Sequence, residues 1–165
     1  MDREAFLKQV LRGCVIAWIL TLMSASVPLA GEGPEPAAKP MAEETEWSGV
    51  TAELTSVERS SGNMLTIKFK YANAGSDKVE IARLGQYSHE NVLDHVYDID
   101  AKNKKKYLVV KDAEKKAIGT NLKYFTLAAG ETKAARGKFP EPPANVQKIS
   151  VYLPGAPPFE DVPIR

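Results

Sequence analysis

Cysteine is almost absent. The chain has one, Cys14, and it opens an apolar run near the N-terminus. If that run is removed, what remains has no disulfide, no thiolate metal site and no thiol nucleophile, and its own core must stabilise it. Histidine is scarce, with two in 165 residues. There is no Gly-x-Ser-x-Gly elbow, and the adjacency of Ser88 and His89 means nothing by itself. A nucleotide-binding glycine loop is missing, as is the Cys…Trp…Cys frame of antibody domains. No segment sustains a helical period. These absences leave no catalytic constellation, and a non-enzymatic protein without a cofactor is expected.

An excess of one charge is also lacking. The chain holds 22 basic and 21 acidic residues, of which Arg3, Lys8 and Arg12 and Asp2 and Glu4 lie in the first thirty, leaving 19 of each sign. A neutral domain argues against a dedicated nucleic-acid binder, which needs net positive charge.

What is present begins with order at the N-terminus. A weakly basic start precedes an uncharged apolar run, CVIAWILTLM at residues 14–23. Small residues follow at Ser24-Ala25-Ser26 and again at Ala30-Gly31. This is the succession of a secretory signal peptide: positive charge holds the start in the cytoplasm, a short apolar helix enters the translocon, and small side chains fit the peptidase. Residues 1–30 are predicted to be that signal, with cleavage after Ser26 or Ala30. The alternative is an uncleaved tether to the inner membrane, for which the apolar stretch is short. An exported product, periplasmic or extracellular, is expected, with a mature form that does not span a membrane.

Residues 31–46 (GEGPEPAAKPMAEETE) carry five acids against one lysine and little apolar bulk. Such a stretch cannot offset its chain entropy by burial and reads as a disordered linker, with a marginal helix over 41–46 as an option. From Trp47 onward the period is two. Val50, Ala52 and Leu54 alternate with polar residues, as do Leu65, Ile67, Phe69 and Tyr71. Turn signals recur at Ser60-Ser61-Gly62-Asn63, 73–77, 102–106, 113–120, Ala129-Gly130-Glu131 and 154–158. Strands are expected near Val79, over 92–100, 107–110, 122–127, 132–139 and 149–153, and at Val162 to Ile164, where Pro163 marks a sheet edge. About 7–9 short antiparallel strands spaced this way predict an all-β, Ig-like β-sandwich over residues 47–165, with a small β-barrel as the alternative.

The runs LTIKFKYANAGSDKVEI, VYDIDAKNKKKYLVVKD and LAAGETKAARGKFPEPPANVQKISVYLPGAPPFEDVPI resemble small Ig-like domains of unknown function in bacterial exported proteins. Some domains of that type precede an OmpA-like peptidoglycan-binding domain. The resemblance spans residues 47–165 and implies a sandwich fold in the cell envelope. It implies no catalytic residues.

Three groups are candidate sites. His89, Asp94, His95, Asp98 and Asp100 combine imidazole and carboxylate in one stretch and suggest a divalent metal or small-ligand site. The spacing does not match a calcium loop, because Lys102 stands where an oxygen ligand belongs and the glycine is missing. The plainer reading is solvated loop and turn residues. Lys102, Lys104, Lys105, Lys106, Lys111, Lys115 and Lys116 suggest a positive rim for an anionic partner, either an envelope polymer or an acidic protein. The plainer reading is lysine that keeps turns soluble and protects strand edges. Trp47, Tyr87, Tyr97, Tyr107, Tyr124, Phe125 and Tyr152 suggest a ligand groove or, more simply, core and rim packing, with Trp47 sealing one end. Together these features predict an exported interaction module that recruits an unknown protein or envelope polymer, for instance by strand addition at a bare sheet edge.

Overall fold

The computed structural model describes residues 41–81 and 91–165. The expected signal segment, linker residues 31–40, Tyr87 and His89 lie outside the described residues. Ten strands run along the described chain: β1 (Met41–Glu44), β2 (Val50–Ser60), β3 (Met64–Asn73), β4 (Val79–Glu80), β5 (Tyr97–Asp100), β6 (Lys105–Leu108), β7 (Thr126–Leu127), β8 (Thr132–Pro140), β9 (Lys148–Tyr152) and β10 (Phe159–Pro163). They form a four-stranded sheet in the order β1-β2-β3-β8, a second in the order β10-β9-β5-β6, and a two-stranded sheet of β4 and β7. Every pairing is antiparallel. The fold is all-β and sandwich-like, and none of the sheets closes into a barrel.

The β2–β3 hairpin is the centre of the first sheet. Its turn places Gly62 and Asn63 at positive φ, 81° and 56°, the backbone region that glycine and asparagine tolerate best. In β3, Leu65, Ile67, Phe69 and Tyr71 are all buried, as the alternation requires. β2 departs from strict alternation. Leu54 pairs with Phe69 but Ser56 pairs with Lys68, so Thr55 is an extra residue in a β-bulge. The bulge resets the phase, and the inward residues become Val50, Ala52, Leu54 and then Val57. β9 contributes Ile149 and Val151 and β10 contributes Phe159 and Val162 to the same core, so the core draws on both large sheets.

Four local expectations change. Residues 41–44, placed in the linker with a helix as an option, form β1, because pairing with Thr51–Leu54 satisfies their backbone groups. Residues 92–95 form a short 3-10 turn instead of a strand, started by the Asn91 side chain, which accepts from the Leu93 N–H. The predicted strand over 122–127 shrinks to two residues. The strand count rises above the expected range through β1, a four-residue strand too short to show a period. Pro163 does end an edge strand, where its missing N–H costs no ladder bond.

Trp47 is buried and meets Tyr71 edge-on, with ring centroids 6.3 Å apart. The Tyr71 hydroxyl donates to the Pro154 carbonyl at 2.8 Å. A Cβ on Gly155 would lie 2.2 Å from the Trp47 ring, so the 154–158 turn closes over the indole only with glycine there. Among the described residues no helix is long and apolar enough to cross a membrane.

Candidate functional site

Among the described residues the His/Asp group is split, with Asp94 and His95 in the 3-10 turn and Asp98 and Asp100 on β5. His89 is outside the described residues. Asp94 sits in the 3-10 turn, with Lys111 Nζ 2.8 Å from its Oδ1. Asp98 and Asp100 alternate along β5 and point inward, both fully buried. Among the described residues no three His, Cys, Asp or Glu side chains are placed to share a metal ion.

The lysine group divides in two. Lys102 and Lys104 occupy the β5–β6 turn, where Lys104 has φ 53°. Lys105 and Lys106 follow on β6, the last strand of its sheet. Lys106 Nζ lies 3.5 Å from the centre of the Tyr97 ring, and Lys105 Nζ lies 5.1 Å from that of Tyr107. Lys115 and Lys116 belong instead to a groove of about 470 Å³ lined also by Asn91, Asp94, Asp112, Ala117, Gly119, Asn121 and Lys123.

Backbone bonds fix the frame of this groove. Residues 110–120 fold against the free edge of β8: Val110 N–H donates to the Lys138 carbonyl, Lys138 N–H to Ile118, and Thr120 N–H to Arg136. Gly119 lies against Gly137 in an isolated bridge. A Cβ on Gly119 would sit 2.3 Å from the Arg136 carbonyl oxygen, so only glycine allows this approach. Asn91 Oδ1 accepts from Leu93 N–H and from Leu122 N–H, which ties the 3-10 turn to the opposite wall. Asp112 Oδ1 accepts from Lys116 N–H at 2.8 Å, and Lys115 N–H donates to the Asp112 carbonyl, which holds Lys115 at φ 62°. The result is a polar concavity with three ammonium groups on its wall. Of its two carboxylates, Asp94 is already paired with Lys111.

Sequence reasoning missed Lys123, Asn91 and Asn121 as parts of one site. Asn91 and Lys123 form a bridge across 31 intervening residues, a juxtaposition with no local signal. Among the described residues the aromatic group likewise does not form one groove. Trp47 and Phe125 both pack edge-on against Tyr71 in the core. Tyr97 and Tyr152 stack on each other, and Tyr124 stands 64% exposed.

Ionisation behaviour singles out a different place. Burial, reinforced by the charge of Asp100, pushes the Asp98 carboxyl up to about 7. Burial also raises the Tyr107 phenol, with further contributions from Asp100 and Asp98. Asp98 is sealed in the interior and does not line the groove.

Comparison with known proteins yields no match: no family model, no curated protein and no solved structure is similar to this chain.

Proposed function

We propose that this chain is an exported, non-enzymatic binding module that engages an anionic envelope polymer through the groove carrying Lys115, Lys116 and Lys123. The observation that carries the reading is that groove: three lysines on walls fixed by backbone bonds and by glycine packing. A rigid wall loses little entropy when a ligand docks. Lysine without arginine favours diffuse, multivalent attraction to an anionic chain over bidentate capture of one phosphate. The succession of charge, apolar run and small residues in the first thirty positions supports export. The non-enzymatic part rests on the missing catalytic motif and on the groove's make-up, which includes no histidine.

The test is binding of the full chain to immobilised lipopolysaccharide and to anionic liposomes over a salt series. The triple variant Lys115→Gln, Lys116→Gln, Lys123→Gln should bind at least about tenfold more weakly, and the salt dependence should flatten. Unchanged binding by the triple variant would exclude the groove. Mass spectrometry of the N-terminus of the protein isolated from cells tests export separately, since an intact Met1 excludes cleavage.

A further inference from the structure

Asp98 and Asp100 are the only buried charged residues among those described. Their circumstances differ. Asp100 accepts from the Asn103 N–H at 3.1 Å and from its side-chain amide at 2.6 Å. Neither carboxyl oxygen of Asp98 has a hydrogen-bond partner. Asp98 stands between Tyr107 on β6 and Val151 on β9, its partners in register. The Tyr107 hydroxyl is also buried without a partner. Among the described residues no cation offsets this group of acids. Lys105 lies over the Tyr107 ring, and the buried residues of β2, β3, β8, β9 and β10 include no charge. A second buried phenol, Tyr71, already donates to Pro154.

An ionised carboxylate in such a place bears its full desolvation cost, whereas the neutral acid bears far less. Relief is available on one side only. β6 is a four-residue edge strand whose sole neighbour in the sheet is β5. Displacing it as far as Val110, whose N–H is bonded to the Lys138 carbonyl on β8, lets water reach Asp98 while the ladders of β2, β3 and β8 stay paired. The upward displacement of the carboxyl to about 7 agrees with this geometry.

We infer that the proton on Asp98 is a latch: while Asp98 is neutral the β5–β6 hairpin stays closed on the sandwich, and loss of that proton opens the hairpin locally. This inference is independent of the groove and its partner. The sign follows from linkage. The open hairpin exposes an ordinary carboxyl near 3.8, while the closed one holds its proton to about 7. Opening therefore becomes easier as pH rises from about 4 to 7 and levels off above that.

The test is amide hydrogen exchange on the full chain, corrected for intrinsic rates, with the Asp98 carboxyl carbon followed by NMR over the same range. Protection of residues 97–108 should fall roughly 50-fold between pH 5 and pH 7 in the wild type. The Asp98 carboxyl should titrate near neutrality. Asp98→Asn should abolish the pH dependence. Asp100→Asn, which removes the neighbouring charge, should move the midpoint to lower pH and gives a second handle if the first variant does not fold. Protection that is flat with pH in the wild type would overturn the latch. So would a fall that persists in Asp98→Asn, or a midpoint unmoved in Asp100→Asn.

Discussion

Tyr97 and Tyr152 lie face to face across β5 and β9, with ring centroids 4.6 Å apart and planes 12° from parallel. They are register partners, so the stack forms on one face of the second sheet, and Lys106 covers the Tyr97 ring. The pair acts as a cross-strand clamp. Tyr152→Ala should destabilise the fold by about 0.5–1.5 kcal/mol beyond the loss of buried area. Lys106→Gln should cost about 0.5–1 kcal/mol. Urea denaturation of each variant and of the double variant measures the coupling.

A larger penalty is expected at residue 155. Gly155 has φ +72°, and a Cβ there would overlap the Trp47 ring. Gly155→Ala should cost about 2–4 kcal/mol, combining left-handed backbone strain with overpacking. Combining it with Trp47→Leu should recover part of the loss. Thermal denaturation of the three variants would show this, and an unaltered Tm in Gly155→Ala would rule the contact out.

The pH dependence of global stability follows from Asp98. Its carboxyl is raised from 3.8 to about 7. Its contribution is therefore fully present below about pH 4 and is lost as pH rises toward 7. Asp98→Asn should leave stability near pH 3.5 almost unchanged and raise it at pH 8 by on the order of 4 kcal/mol. Denaturant midpoints of wild type and variant across this range provide the measurement.

Tyr107 offers a complementary case. Its hydroxyl is buried and unpartnered, so Tyr107→Phe removes a desolvation cost and loses no hydrogen bond. A gain of about 1 kcal/mol is expected. A loss in equilibrium unfolding would mean that the hydroxyl has a partner in solution.

Much of the fold is legible in the sequence because one face of each long strand is buried. β3 shows this most simply, with Leu65, Ile67, Phe69 and Tyr71 all facing the core. β1 was hidden because Met41–Glu44 gains its structure from pairing with β2 and not from its own composition. The Thr55 bulge was hidden because a shift in phase reads as irregularity unless the partner strand is known. The candidate site was less legible. Asp98 and Asp100 read as solvated acids, as their residue type suggests, yet β5 turns them inward. The groove joins Asn91, Lys115 and Lys123, and only the fold brings them together.

The register of β3 with β8 pairs Met64 with Pro140 and Ala72 with Thr132. Those contacts enclose most of the described chain in one loop. The β2–β3 hairpin can form quickly from its own turn, but its second edge must wait for residues 132–140. In a chain delivered from its N-terminus, that edge stays unpaired throughout the delivery of the intervening segment. The apolar strand LTIKF would be exposed at that time, so the vulnerable species is the half-emerged chain and not the finished domain.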